Sequence, residues 1–223
     1  MAYILLFIGY LIGSIPFSII LGKLIKGIDI RQHGSGNPGT TNAMRVLGRK
    51  MGTVIFILDV LKGGSLIFLI QIGLLDGIDN LLHPLLYGLT AVIGHIYPVF
   101  LKFKGGKAVA TSVGIFLFYA PLLGIIGLTG YVVGLKLTRY VSIGSTLGAF
   151  ALLVTSISVF IFGPKEPSFW VYLLGPRGDI FLPLVSIIGV SFIFYRHRAN
   201  FKRIINGTEP ESQWLQKKED RKA

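Results

Sequence analysis

The sequence predicts an all-α integral membrane protein, a bundle of seven transmembrane helices. Hydrophobic residues make up 52% of the 223 residues and charged residues only 14%, and the mean hydropathy is +0.69. A soluble domain carries about 25% charged residues, so this chain has too little charge to cover a water-facing surface. The basic residues are also grouped between apolar stretches rather than spread along the chain.

Seven apolar stretches approach the length of about 20 residues that a bilayer-crossing helix needs. The predicted spans are 3–23, 53–75, 81–101, 106–120, 121–138, 142–162 and 179–195. The fourth and fifth are short and meet at Pro121, so they form either a tight helical hairpin or one broken element, and six or five spans are the alternatives. The first stretch has no basic residues before it and no small-residue cleavage site, which favours a span over a signal peptide.

The basic residues favour seven spans and indicate the orientation. With seven spans, one face of the membrane receives every Lys and Arg except Lys62, Lys165 and Arg177. The positive-inside rule assigns that face to the cytoplasm, which puts the N-terminus outside and the C-terminus in the cytoplasm. We expect a single transmembrane domain at 1–203 and a polar cytoplasmic tail at 204–223.

The net charge of +12 is explained by the membrane. Basic residues concentrate in cytoplasmic loops and beside anionic headgroups, so we expect membrane lipid, and not nucleic acid, as a partner. The chain contains no cysteine, which excludes disulfides, thiolate metal sites and a cysteine nucleophile.

Three polar segments interrupt the apolar pattern, and all three fall on the predicted cytoplasmic face. The first, at 33–45, contains the G-x-G-x-x-G spacing of dinucleotide-binding folds. That fingerprint needs a preceding strand and a following acidic residue, whereas here a span precedes it and Asp59 lies inside the next span. The glycines alone could form a simple turn. The polar side chains among them favour a phosphate or polar-substrate site: Ser35, Asn37, Thr40, Thr41, Asn42 and Arg45.

The second segment, at 102–112, contains Lys104, Gly105, Gly106 and Lys107 just before an apolar run. It does not match the Walker A pattern. Free N–H groups and the positive dipole at a helix N-terminus, together with two lysines, would favour an anion. The alternative is a basic loop that only flanks a span.

The third segment, at 195–203, ends the last span with a cluster of basic residues. Such clusters commonly act as stop-transfer signals. His197 and Asn200, however, are spaced i, i+3 on one helical face, which a stop-transfer signal does not require. A histidine in this position could bind phosphate or move a proton.

Other polar residues lie within or beside the spans. Asp59 and Lys62 are expected to form a structural ion pair near the cytoplasmic end of the second span, because isolated charges in a membrane are costly. His95 belongs either to the core or to the site, and His33 and His83 are assigned no role. No metal-ligand spacing occurs, so we expect neither a metal nor a cofactor.

The three segments together resemble the PlsY family, the membrane acylphosphate:glycerol-3-phosphate acyltransferases of bacteria. The matching stretches are GSGNPGTTNAMRVLG at 34–48, DVLKG at 59–63, GHIYPVFLKFKGGKAVATS at 94–112 and RHRANFKRIINGTEP at 196–210. Their order is consistent and they extend over most of the chain. One departure is Ala108, where glycine is expected in many members.

The resemblance implies transfer of a fatty acyl group from acyl phosphate to the 1-hydroxyl of glycerol 3-phosphate, giving lysophosphatidic acid and phosphate, the first step of phospholipid synthesis. It implies a cytoplasmic site in a bacterial inner membrane, and Glu209 as a structural carboxylate. The catalytic residues it implies are Ser35, Arg45, Lys104, His197 and Asn200. The expected substrate- and phosphate-binding residues are Gly36, Asn37, Thr41, Asn42, Gly105, Gly106, Lys107 and Thr111.

The chain has no H-x-x-x-x-D dyad, which other acyltransferases use to activate the hydroxyl. Our hypothesis is that the departing phosphate accepts the proton while Arg45 and Lys104 stabilise the developing charge. Ser35 would then position substrate, and His197 as general base is the alternative.

Two other functions would also account for a cationic membrane protein. A transporter for a phosphorylated metabolite predicts polar or ionisable residues through the bilayer, yet away from the span ends the predicted spans contain only Asp59 and Lys62 as Asp, Glu, Lys or Arg residues. A structural membrane subunit would not need three glycine- and amide-rich segments on one face.

Overall fold

The computed structural model describes residues 1–165 and 168–212, and every regular secondary-structure element within them is a helix. The α-helices are α1 (Ala2–Ser14), α2 (Phe17–Lys26), α3 (Thr40–Leu47), α4 (Arg49–Gln71), α5 (Pro84–Ile96), α6 (Val109–Tyr119), α7 (Pro121–Thr138), α8 (Val141–Phe162), α9 (Phe169–Leu174) and α10 (Phe181–Ile205). Two short 3-10 helices lie at Ile30–Gln32 and Val99–Leu101.

Five stretches of the described chain are long and apolar enough to cross a membrane. They are Ala2–Lys26, Arg49–Gln71, Pro84–Leu101, Pro121–Thr138 and Val141–Phe162. Each corresponds to one predicted span, so the all-helical membrane class is confirmed. The predicted fourth span is α6, which is apolar but has only 11 residues, and the seventh is the first part of α10, whose second part is basic. The count of seven and the orientation therefore stay predictions.

Proline determines two helix boundaries. Pro16 separates α1 from α2 within the first span, because a proline removes a helical N–H donor. Pro121 occupies the first turn of α7, where the missing donor costs nothing. The predicted fourth and fifth spans are therefore two separate helices joined at Ala120.

The helices pack closely where glycines face a neighbouring backbone. A Cβ atom added to Gly63 of α4 would lie 2.0 Å from the Thr111 carbonyl oxygen of α6, and one added to Gly114 would lie 2.0 Å from the Val60 oxygen. Small residues allow such close approach between membrane helices. This contact holds α6, which follows the second polar segment, against α4.

The end of the described chain folds back onto the bundle. Helix α10 crosses the predicted boundary at residue 203. Beyond it, the backbone N–H of Ser212 donates to the Arg139 carbonyl oxygen at 2.9 Å, and Glu211 pairs with the Arg139 guanidinium at 3.2 Å. The rest of the predicted tail, 213–223, lies outside the described residues, so the division of the chain into domain and tail stays a prediction.

Candidate active site

A cavity of about 660 Å³ lies among α3, α4, α6, α7, α8 and α10, a volume typical of small-molecule sites. One wall, formed by the three polar segments and by Glu209 just after α10, is strongly polar. It includes Ser35, Asn37, Thr41, Arg45, Lys107, Arg196, His197, Asn200, Arg203 and Glu209. The α7 and α8 wall is mainly apolar and includes Leu128, Val132, Leu135, Ala149 and Leu152. The cavity therefore suits a molecule with an anionic head and an apolar tail.

Asn42 organises the first polar segment. Its side-chain oxygen accepts the backbone N–H of Ser35 at 2.8 Å, and its amide nitrogen donates to the carbonyl oxygens of Ile30 at 2.9 Å and His33 at 3.1 Å. A Cβ on Gly34 would lie 2.3 Å from the Asn42 oxygen, and Gly34 has φ +61°, a conformation that favours glycine. The amide of Asn42 is therefore used on the backbone, and its effect is to hold Ser35 at the cavity.

Helix α3 places Arg45 in the cavity wall. The buried face of α3, which includes Ala43, Met44 and Leu47, packs against α4. The contact is close, because a Cβ on Gly52 of α4 would clash with Met44. Burial lowers the pKa of Arg45 from its ordinary value, although the charge of Glu209 acts in the opposite direction. The side chain remains cationic at neutral pH, because a guanidinium loses its proton only under strongly basic conditions.

The second polar segment folds back over the end of α5. The N–H of Gly105 donates to the Ile96 carbonyl oxygen and that of Gly106 to the His95 oxygen, both at 3.1 Å. A Cβ on Gly105 would lie 2.1 Å from the His95 carbonyl oxygen, and one on Gly106 would lie 2.2 Å from His95 Nε2. These two N–H groups are therefore used on α5 and are not free for an anion, and whether the N-terminus of α6 binds one stays a prediction. The glycines are needed because the loop backbone contacts α5.

Ala108 follows this loop as the N-cap of α6, with φ +57°. This is the left-handed region, which glycine enters without a Cβ penalty. The position where the resemblance leads us to expect glycine thus has a backbone reason for that preference.

A chain of hydrogen bonds joins the second and third polar segments. Lys107 Nζ donates to Asn200 Oδ1 at 2.5 Å, and Asn200 Nδ2 donates to Glu209 Oε1 at 2.7 Å. The other oxygen of Glu209 accepts Arg203 Nε at 2.7 Å. Burial lowers the pKa of Lys107 from 10.5 to about 8; Glu209 opposes the shift, and three arginines, one of them Arg203, add to it. Glu209 thus has the contacts of a structural carboxylate.

His197 is 2% exposed and lies on the wall of the cavity. Its Nδ1 is 2.8 Å from the Ile193 carbonyl oxygen of the preceding turn. Because a carbonyl only accepts, Nδ1 carries the hydrogen, and Nε2 of the neutral ring is the acceptor. Next to it, Arg196 donates from Nη2 to the Gly105 carbonyl oxygen at 2.8 Å. This bond connects α10 to the loop that contains Gly105 and Gly106, here called the glycine loop.

The predicted pair of Asp59 and Lys62 is confirmed, with 2.8 Å between the Lys62 nitrogen and Asp59 Oδ1. His95 is buried, and its Nδ1 lies 3.8 Å from the same oxygen. Both alternatives for His95 hold in part, because it is buried and also belongs to the cavity lining. His83, which was assigned no role, accepts the N–H of Leu85 at the start of α5.

The cavity brings together most of the residues predicted for the site. Those in its lining are Ser35, Asn37, Thr41, Asn42, Arg45, Lys107, His197 and Asn200. Those outside its lining are Gly36, Lys104, Gly105, Gly106 and Thr111. Thr111 is fully buried, against Gly63 of α4. Whether these residues contact substrate stays a prediction.

Sequence reasoning missed several residues of the cavity. Arg196 and Arg203 lie in the basic cluster of the third segment, where only His197 and Asn200 had been singled out. Their signal was present but was explained as stop-transfer charge. The missed polar residues of the α7 and α8 wall are Tyr131, Lys136, Ser142 and Ser145. They lie in or beside apolar spans, which offered no local signal.

Cations dominate the polar wall, and a planar guanidinium can grip a phosphate through two hydrogen bonds. Within the described ranges, no group of three or more His, Asp or Glu side chains is placed to hold a metal ion. The fold and the cavity together define an integral membrane protein whose site suits a phosphorylated ligand with an apolar tail.

Comparison with known proteins identifies the family. The family model described as glycerol-3-phosphate acyltransferase matches residues 3–207, and the chain belongs to this family of acyltransferases. The glycerol-3-phosphate acyltransferase of Bacillus subtilis (strain 168) is 48% identical over 95% of this chain and 98% of its own length. That of Geobacillus kaustophilus (strain HTA426) is 46% identical over 96% and 98%.

Solved structures show the same fold. The glycerol 3-phosphate form of PlsY (YgiH), an integral membrane glycerol 3-phosphate acyltransferase, is 33% identical with a TM-score of 0.76, and the match covers 96% of each chain. The lysophosphatidic acid form is 32% identical with a TM-score of 0.73 over 94% of each chain. These relatives are acyltransferases and offer no support for the transporter alternative.

Proposed function

We propose that this protein transfers a fatty acyl group from acyl phosphate to the 1-hydroxyl of glycerol 3-phosphate, giving lysophosphatidic acid and phosphate. The observation that carries the proposal is the single cavity, which joins a cationic wall to an apolar wall. Its charges suit the two phosphates, and its apolar wall suits the acyl chain. The similar PlsY structures, described as glycerol 3-phosphate and lysophosphatidic acid forms, support this acceptor and this product.

The chemical step is acyl transfer between two oxygens. The hydroxyl oxygen of glycerol 3-phosphate attacks the carbonyl carbon of the acyl phosphate, the bond from that carbon to the phosphate oxygen breaks, and an ester forms. Arg45 and Lys107 line the cavity, where they can stabilise the negative charge that develops. The predicted role of Lys104 in this stabilisation has no support from the cavity lining.

The proton of the hydroxyl passes to the departing phosphate, so a strong protein base is not needed. His197 remains the alternative base, since its Nδ1 is held by the Ile193 carbonyl oxygen and Nε2 is the acceptor of the neutral ring. The His197→Ala variant separates the two. Substrate-assisted transfer predicts measurable turnover, whereas loss of turnover with near-normal affinity for both substrates would make His197 the base.

The site lies at the cytoplasmic face of a bacterial inner membrane, in a bundle of seven spans with the N-terminus outside. In this arrangement Lys23 and Lys26, in the last turn of α2, lie on the same side as the basic residues of α10. The positive-inside rule supports this orientation. Cysteine substitution at Lys26 and at Arg177, followed by labelling from outside intact cells, should modify position 177 only.

The test of the activity is purified protein incubated with acyl phosphate and glycerol 3-phosphate. We expect lysophosphatidic acid, and no product when acyl-CoA replaces acyl phosphate. Arg45→Gln should lose most of the activity, and Lys50→Gln, which removes an exposed charge outside the cavity lining, should keep it. Folded wild-type protein that makes no lysophosphatidic acid would overturn the proposal.

A further inference from the structure

A buried polar cluster lies beneath the glycine loop, outside the groups assigned to the reaction. Asp59, Lys62 and His95 are 3%, 5% and 8% exposed. Lys62 also donates to the Ile15 carbonyl oxygen at 3.1 Å, at the break between α1 and α2. The cluster therefore connects the first helical stretch, α4 and α5.

Stability alone does not account for this cluster. Taking an ion pair out of water costs about as much as the pair returns, and apolar replacements of similar volume are often neutral or stabilising. A buried ion pair can instead specify one arrangement of the groups around it. The question is which arrangement Asp59 and Lys62 specify.

The contacts of His95 answer this question. Its backbone oxygen accepts the N–H of Gly106, and its ring lies against the same residue, since a Cβ on Gly106 would be 2.2 Å from Nε2, 3.0 Å from Cδ2 and 3.1 Å from Cε1. The other side of the ring faces Asp59, with 3.8 Å between Nδ1 and the carboxylate. The imidazole is thus held between the ion pair and the loop.

The loop carries groups of the site on both sides of Gly106. The carbonyl oxygen of Gly105 accepts Arg196, and Lys107 donates to Asn200. Arg196 and Lys107 both line the cavity. A shift of the Gly106 backbone would therefore move two cations relative to a bound phosphate.

We infer that His95 is a positioning residue for acyl transfer, and that the buried pair of Asp59 and Lys62 holds its ring in place. The ring supports Gly106 and so determines where Lys107 and Arg196 meet the substrate phosphate. This inference rests on the proposed function only for its kinetic readout. It assigns a reason to the second glycine of the pair: any side chain there would displace the imidazole.

The test is a suppressor experiment with a matched control. Gly106→Ala should reduce kcat/KM on the order of 10- to 100-fold, mainly through KM for a phosphate substrate, because small misplacements of positioning groups have effects of this size. Asparagine at position 95 would place its amide near the position of the imidazole Nδ1, and it has no atoms where the imidazole has Nε2 and Cε1. The double variant Gly106→Ala with His95→Asn should therefore regain most of the activity of His95→Asn alone.

Gly105→Ala is the control. The Cβ atom there would meet the His95 carbonyl oxygen at 2.1 Å and Pro98 Cδ at 2.4 Å, neither of which His95→Asn removes. His95→Asn should therefore not rescue Gly105→Ala. Multiplicative losses in the Gly106 double variant, or equal rescue of both glycine variants, would overturn the inference.

A second readout does not depend on turnover. Binding of inorganic phosphate, measured by calorimetry on the same purified variants, should show the same pattern of loss and rescue. If wild-type protein binds phosphate and follows this pattern but transfers no acyl group, the proposed function fails and the positioning role stands. If every variant binds phosphate as the wild type does, the positioning role fails.

Discussion

Lys107, on the loop before α6, donates to Asn200 of α10 at 2.5 Å and so links two segments that lie 93 residues apart in the chain. The same asparagine donates to Glu209, which pairs with Arg203. One neutral amide therefore contacts a partly buried lysine and a carboxylate at once. This arrangement makes the site sensitive to Asn200 even though an amide carries no charge.

Asn200→Ala should reduce kcat/KM on the order of 10- to 100-fold, because Lys107 and Glu209 would both lose the group that positions them. The assay is acyl transfer with each substrate varied in turn. Asn206→Ala removes the same amide from an exposed site just after α10 and should leave the kinetics unchanged. Equal activity in the two variants would contradict the positioning role of Asn200.

The pH dependence should report Lys107. Its pKa of about 8 lies below the ordinary 10.5, so the lysine is mainly charged below pH 8 and mainly neutral above it. Because a phosphate substrate binds the charged form, KM for that substrate should rise as pH increases through 8. The measurement is KM for each substrate between pH 6.5 and 9.5, a range set by about 1.5 units on either side of that pKa. Lys107→Arg keeps its charge and should flatten the rise; an unchanged rise would assign it to another group.

Breaking the buried ion pair of Asp59 and Lys62 by removing one partner should lower the stability of the protein. Lys62→Met leaves the carboxylate of Asp59 without its counter-charge and should lower the free energy of unfolding by about 3–5 kcal/mol. Adding Asp59→Asn should recover most of this loss, because the remaining amide is neutral. Unfolding is followed by denaturant titration in detergent. A single variant as stable as the double variant would contradict the ion pair.

A second polar cluster joins helix ends remote from the cavity. Tyr119, at the end of α6, donates to Asp179 at 2.6 Å, and its hydroxyl is 3.1 Å from Nε2 of His83. Tyr119→Phe should lower the free energy of unfolding by about 1–3 kcal/mol, since Asp179 loses a donor. Acyl transfer should be unchanged, because these residues are not in the cavity lining. Tyr172→Phe, at an exposed tyrosine, is the control, and equal stability of the two variants would rule out a stabilising role for the Tyr119–Asp179 hydrogen bond.

Local sequence features predicted the elements that the membrane dictates. The stretches around α4, α7 and α8 were predicted from apolar length alone, because a bilayer-crossing helix must satisfy its own backbone and cover it with apolar side chains. The break between α6 and α7 followed from Pro121, whose ring is tolerated in the first turn of a helix but not in the interior of one. Ser35, Arg45 and His197, which line the cavity, were selected as candidates because polar groups stand out against such a background.

The tertiary structure alone decided what those groups do. Gly105 and Gly106 have the composition of an anion-binding loop, but their N–H groups donate to carbonyl oxygens at the end of α5. That helix end is close to the two glycines in space, yet nothing in their own segment of sequence indicates the contact. The side-chain amide of Asn42 likewise forms its hydrogen bonds with the backbone of the loop that carries Ser35. A residue's chemistry is local and can be inferred from its type. Its hydrogen-bond partner depends on which helices meet, and that is determined only when the whole chain packs.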